Sequence, residues 1–239
     1  MLTRWLLFLA FSLQGIAALA QAPQGAAATT DDVQQSRAVL EAAEFLKARK
    51  LPESLAAAER VISFYEAKYR DTRDQVYCAR GPLDTIFYIT RHATAHNGRG
   101  AVVVRNWCEA HFLRGYVLVE LGRLPEARVA LEAAVAMSPW NSQYLSELGN
   151  IYLREKAWAR ALETYAAAEQ AVEISDSAQK NNDAAKAQRG AGYALIELGR
   201  LADAEEKYRR SLELVPGNPL ALGQLRYIAQ LRAKAQPPQ

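Results

Sequence analysis

Two cysteines and three histidines hold most of the reactive chemistry available to this chain. His92 and His96 stand in "HATAH", one helical turn apart, and Cys108 and His111 stand three apart in "CEAH". Side chains at those spacings share a helix face, so on paper the four could surround a zinc ion. Against this, the turn signal "NGRG" at 97–100 separates the two pairs, and the His-x-x-x-His stretch lacks the glutamate of a metalloprotease. The cysteines have a second use. In an oxidising compartment Cys78 and Cys108 would form a disulfide, adding about 3–4 kcal/mol for a loop of this size. Spacing alone leaves both a disulfide and two separate buried thiols open. No nucleophile with an adjacent base, no paired carboxylates and no phosphate-cradling glycine loop stands out. "GRG" at 98–100 reads as a turn and "GAG" at 190–192 as a helix-packing position. No catalytic site and no cofactor is expected; the chain reads as a non-enzyme.

The compartment is suggested by the first twenty residues. Arg4 gives a short positive start, Trp5 to Leu13 is an apolar run, and Ala18-Leu19-Ala20 offers the small residues a signal peptidase needs. The run is too short to span a bilayer as a helix. The expectation is a signal peptide at 1–20, a flexible leader at 21–32 poor in large apolar side chains, and a periplasmic protein that is soluble once cleaved. An uncleaved membrane anchor is the competing reading.

Composition restricts the partners. Half of the 239 residues are hydrophobic, and the formal net charge is only +3. A protein that neutralises many phosphates needs a concentrated basic surface, so nucleic acid is an unsuitable partner. Another protein, from the envelope or secreted, is the expected one.

The elements that position these residues are announced by a repeat. "ELGRLPEARVALEAAVAMSP" at 120–139 returns 77 residues later as "ELGRLADAEEKYRRSLELVP" at 197–216. Aligning Pro139 with Pro216 matches Gly115 with Gly192, Gly122 with Gly199 and Ala127 with Ala204. A third copy begins at Ser142, with Leu145, Leu148, Gly149, Tyr152, Ala161, Tyr165 and Ala168 at the same spacings. Two 34-residue units and a nine-residue insertion within 173–186 account for the offset. In the two outer units the first helix stops at Gly122 or Gly199, in the first of them Pro125 starts the next helix, and small residues let the two helices cross closely.

This pattern resembles the tetratricopeptide repeat, a 34-residue pair of antiparallel helices. The resemblance implies an all-α, right-handed solenoid with repeats at about 108–141, 142–175 (with the insertion running to 184) and 185–218, within a domain at 107–232. The family's usual first aromatic position holds His111, Leu145 and Gln188. A helix at 219–232 should cap the array, followed by a disordered tail at 233–239. Residues 33–106 read as a degenerate helical region. In it "KLPESLAAAERVISFYEAKY" echoes the repeat, with Ala42 and Ser54 at its small positions, and a helix from Pro82 is expected to bury Leu83, Ile86 and Phe87, with Tyr88 as a further candidate. "AVVVRNW" fits either a short strand or an extension of the next helix.

The resemblance also implies that the first helices of successive units line a concave groove for an extended peptide or a helix. In this register the candidate partner-binding residues are Phe112, Tyr116 and Val119 from the first unit, Asn150, Leu153 and Arg154 from the second, and Lys186, Arg189 and Tyr193 from the third. Some members of the family clamp a C-terminal carboxylate with Lys, Asn, Asn, Lys and Arg. The matching positions here are Phe112, Tyr116, Glu147, Lys186 and Gly190, so only the lysine is kept. The groove reads as aromatic at one end and basic at the other, suited to a mixed apolar and acidic segment. The implied function is a non-catalytic interaction scaffold; the alternatives are a self-associating structural subunit, a possible homo-oligomer, or a metal-binding protein using the His/Cys cluster.

Overall fold

The structure, a computed structural model, describes residues 30–95, 101–173 and 178–235. Its helices pair into successive hairpins: α1 (Thr30–Lys47) with α2 (Leu51–Lys68), α4 (Asn106–Glu120) with α5 (Leu124–Met137), α6 (Ser142–Arg154) with α7 (Trp158–Glu173), and α8 (Lys180–Glu197) with α9 (Leu201–Leu214). Each hairpin packs on the next, and α10 (Pro219–Ala235) closes the row against α9. No single hairpin could bury its apolar stripe. Stacked, they share one core that runs from Val39 to Ala194, and a second, around Leu195, Tyr208 and Ile228, joins it through Leu162.

All four hairpins turn in the same way. Arg49, Gly122, Lys156 and Gly199 adopt the left-handed conformation, with φ of 60°, 74°, 59° and 74°. At each, the residue's own N–H bonds the carbonyl three residues back, and the following N–H bonds the carbonyl five back: Gly122 to Val119 and Arg123 to Leu118, Arg49 to Leu46 and Lys50 to Phe45, and likewise at Lys156 and Gly199. This is the Schellman closure, which satisfies carbonyls that a helix end leaves unpaired. Pro52 and Pro125 then stand in the first turn of α2 and α5, where a missing N–H costs nothing. The N-terminal hairpin therefore has the repeat's geometry despite its degenerate sequence. Its small positions meet where the helices cross, Ser54 Oγ donating to Ala42 O at 2.7 Å, with both residues fully buried. Asn141 caps α6 by accepting from the N–H groups of Gln143 and Tyr144, and Asn218 accepts from that of Ala221 to start α10. The inserted residues just before 185 are absorbed as extra turns at the start of α8.

Between α2 and α4 the chain departs from the expected all-helical course. Strand β1 (Gln75–Cys78) pairs in parallel with β2 (Ala101–Val104), Tyr77 opposite Val103 and Cys78 opposite Val104. Parallel strands need a crossover, and α3 (Pro82–Ala95) supplies it. "AVVVRNW" thus resolves as a β-branched strand followed by the start of α4. The expected burial along α3 is corrected in part: Leu83 and Ile86 are 61% and 62% exposed and Phe87 is half-buried, while the further candidate Tyr88 is buried, together with His92. The helix turns its aromatic side inward because Tyr77 receives it there, stacking on Tyr88 at 5.2 Å and placing its hydroxyl 3.2 Å from His92 Nδ1.

This strand-helix-strand insert is fastened to the solenoid. Cys78 and Cys108 are joined as a disulfide between β1 and the first turn of α4, with Cα atoms 6.1 Å apart. Ser138, just past α5, donates to Cys78 O at 2.7 Å. Trp140 receives Phe87 edge-on at 5.6 Å and Arg91 over its face at 4.8 Å. The capping helix runs to Ala235, three residues beyond its expected end. The signal segment, residues 21–29 of the leader and His96 lie outside the described residues, as do 236–239, while residues 30–32, expected in the leader, form the first turn of α1.

Candidate partner-binding groove

The groove candidates lie on α4, α6 and α8, the first helices of three consecutive hairpins. The fold divides them into two groups. Near the N-terminal ends of these helices the side chains are engaged with one another. Phe112 is buried and stacks on Tyr144 with ring centroids 5.0 Å apart. The Tyr144 hydroxyl donates to Glu109 at 2.7 Å. Burial pushes the Glu109 carboxyl above its ordinary range, opposed by the Tyr144 bond and by the charges of Arg105 and Arg80, and it holds the Tyr144 phenol well above its own. Lys186 forms an ion pair with Glu147 that ties α8 to α6. Arg189 directs its guanidinium to Ser211 on α9 at 3.1 Å, and burial lowers its pKa.

Toward the C-terminal ends the surface is open. Tyr116 and Val119 on α4, Leu153 on α6 and Tyr193 on α8 are half-buried, and Arg154 is exposed. Asn150 on α6 is buried, at 6% exposure. Desolvation raises the Tyr116 phenol, helped by the neighbouring charges of Glu147 and Glu120; Tyr193 is raised by burial and then by Glu197. Two aromatic residues outside the candidate set adjoin this surface: Trp158, 6.2 Å from the Tyr193 ring, and Tyr227 on α10, close enough to act on Tyr193 electrostatically. Trp158 opens α7, the second helix of its hairpin, and Tyr227 belongs to the cap, so a register restricted to first helices omits both.

Of the five carboxylate-clamp positions, Phe112, Glu147, Lys186 and Gly190 are consumed internally. Lys186 and Glu147 neutralise each other, Phe112 is covered by Tyr144, and at Gly190 the ring of Tyr165 occupies the space that a β-carbon would take. Nor do the sulfur and imidazole groups converge. Cys108 is bonded to Cys78, His92 faces Tyr77, and His111 lies against Trp107 with centroids 6.4 Å apart. Among the described residues no group of three or more His, Cys, Asp or Glu side chains could hold a metal ion. Also among them, no helix is long and apolar enough to cross a membrane.

Comparison with known proteins agrees with this geometry. A family model described as tetratricopeptide repeat matches residues 112–173 and 169–219. No curated protein matches the chain. Among solved structures, that of Pseudomonas aeruginosa pilF superposes with a TM-score of 0.60 at 12% identity, covering 86% of this chain and 72% of that one. The MamA RS-1 ArsTM double mutant superposes with a TM-score of 0.56 at 14% identity, covering 87% and 88%. The first tetratricopeptide domain of Spaghetti (RPAP3), bound to an HSP90 peptide, is 27% identical over 53% of this chain and 95% of its own, with a TM-score of 0.46. At these identities the first two similarities concern the fold alone. The family match, the hairpin stack and the shared turn geometry together identify residues 112–219 as an array of tetratricopeptide repeats.

Proposed function

We propose that the protein is a non-catalytic scaffold of the cell envelope that holds a segment of another protein against the open half of its concave face. The observation that carries this reading is the stripe of Tyr116, Val119, Leu153 and Tyr193, left half-covered where the polar residues deeper in the groove are already paired. Aromatic side chains presented by rigid helices give contact area with little loss of conformational freedom. Lys186 and Arg189 are engaged with Glu147 and Ser211, so the segment it takes is apolar rather than acidic in its main contacts, with Arg154 as the exposed cation at the rim. Export is supported by Arg4, the run Trp5 to Leu13 and Ala18-Leu19-Ala20, and by a disulfide suited to an oxidising compartment.

The test is capture from an envelope extract with the wild-type chain and with Tyr116→Ala/Tyr193→Ala, each partner being identified and its affinity then measured with purified material. The double variant should weaken the identified partner by at least about tenfold, as loss of interface aromatics does. Unchanged affinity would remove the groove from the account.

A further inference from the structure

The insert carries a surface that the groove does not explain. On α3 the side opposite Tyr88 and His92 presents Leu83, Ile86, Ile89 and Thr90, with exposures of 61%, 62% and 47% for the three aliphatics. None of these four is charged. Asp84, at the margin, is paired with Arg80 at 2.9 Å, and Arg91, at the same margin, is exposed over Trp140. Three large aliphatics in series on one exposed helix form a contiguous apolar patch of the kind that marks an interaction site.

The charge distribution says what would cover it. Residues 70–106 contain six arginines and three aspartates, with no lysine or glutamate, a net of +3. That equals the net charge of the whole chain, so the remainder is balanced. The segment that carries the two most exposed large aliphatics among the described residues is thus also the one with the excess of positive charge. A second copy docking through the same face would bring +3 against +3. A specific protein partner would be expected to meet exposed aromatic anchors, and the aromatic bordering this face, Phe87, is half-buried and packed edge-on against Trp140. An aliphatic helix face with the exposed Arg91 at its margin, in a segment whose sequence carries an excess of arginine, suits an anionic phospholipid surface, where the aliphatic side chains enter the acyl boundary and guanidinium groups meet phosphates.

We propose that the exposed face of α3 docks the protein on an anionic lipid bilayer without spanning it, leaving the concave groove available to its partner. The site is separate from the groove, and neither reading depends on the other.

The experiment is flotation of the full chain with vesicles of phosphatidylcholine containing about one quarter phosphatidylglycerol, and with phosphatidylcholine alone. A polarity-sensitive fluorophore on Ile86→Cys reports contact at α3 itself, which separates this face from the apolar run at Trp5 to Leu13. The expected result is a blue shift of that probe on anionic vesicles only, reversed by high salt. Leu83→Ser/Ile86→Ser should retain the helical circular dichroism and lower the vesicle partition at least about tenfold. Arg91→Glu, which leaves the aliphatic face intact, should weaken it in the same direction. The proposal is overturned if the probe stays unshifted, if the double variant partitions like wild type, or if α3 instead captures an acidic protein or a second copy while ignoring vesicles. Tyr116→Ala/Tyr193→Ala should leave vesicle binding unchanged.

Discussion

The ring of Tyr165 fills the space that a side chain at position 190 would need. A β-carbon on Gly190 would overlap the Cζ and both Cε atoms of Tyr165, and Tyr165 is itself 3% exposed, so the ring has little room to yield. A β-carbon on Gly149, on α6, would come within 2.9 Å of the same ring. Two glycines on adjacent first helices thus admit one aromatic side chain from α7, and this sets how closely α6 and α8 approach along the groove.

Gly190→Ala measures that constraint. Alanine's better helix propensity would favour the variant by about 1 kcal/mol. Overpacking against the ring costs about 1–3 kcal/mol or more and should win, because the conflict is with a buried ring. Urea denaturation is expected to show a net loss of about 1–2 kcal/mol with an unchanged m-value. Tyr165→Phe should not relieve it, since the nearest atoms are ring carbons.

Lys156→Gly should act in the opposite direction. Lys156 occupies the left-handed turn position at φ 59°, where Gly122 and Gly199 stand in the equivalent turns. Removing the β-carbon there should raise stability by about 0.5–1 kcal/mol in the same denaturation assay. A loss would mean that the lysine side chain holds this turn by another route.

Breaking the disulfide isolates the insert. Cys78→Ala/Cys108→Ala opens a loop with a separation of 30 residues and is expected to cost about 3–4 kcal/mol. Amide hydrogen exchange should show loss of protection in β1, α3 and β2, with α6 to α9 retained. Uniform loss along the solenoid would contradict the assignment of the insert as a fastened accessory to the stack.

Acid should expose the burial of His111. Desolvation, helped by Arg114, holds its imidazole down to about 4, against an ordinary value of 6.5. Above pH 6.5 the ring is neutral in both folded and unfolded chains, and its contribution is fully present. As pH falls from 6.5 toward 4 the unfolded chain takes up the proton first, so stability declines. Glu109 and Asp183 act with the opposite sign: both are raised, mainly by burial, so their effect favours folding as they become protonated. Comparing wild type with His111→Gln across about pH 4–7 isolates the histidine, and the variant should show the flatter decline at the acid end.

Much of the architecture is legible in residue order. Gly122, Gly199, Pro125 and the small residues at crossing points each serve one local need, and the repeat spacing registers them against one another. Arg49 and Lys156 conceal two equivalent turns, because nothing in a lysine or arginine announces a left-handed backbone. The insert is less legible for a different reason. β1 is only four residues long, and its parallel partner lies beyond a helix, so no local periodicity links them. The apolar residues of α3 do indicate a helix with a buried side, but Tyr77 selects Tyr88, the further candidate there, together with His92 for it rather than Leu83 and Ile86. In the groove, register identifies which residues share a face. It does not reveal that Lys186 is paired with Glu147 or Arg189 with Ser211, since those partners lie on other helices at long sequence separation.

The central claim, that the open half of the concave face seats another protein, is tested most directly by photo-crosslinking in the producing cell. A photoreactive residue is placed at Leu153 in the groove or at Val129, which is 57% exposed on the second helix of its hairpin. The account predicts one defined crosslinked partner from position 153, competed away by the purified partner segment, and none of that product from position 129. The same product from both positions, or a product at 129 alone, would contradict it.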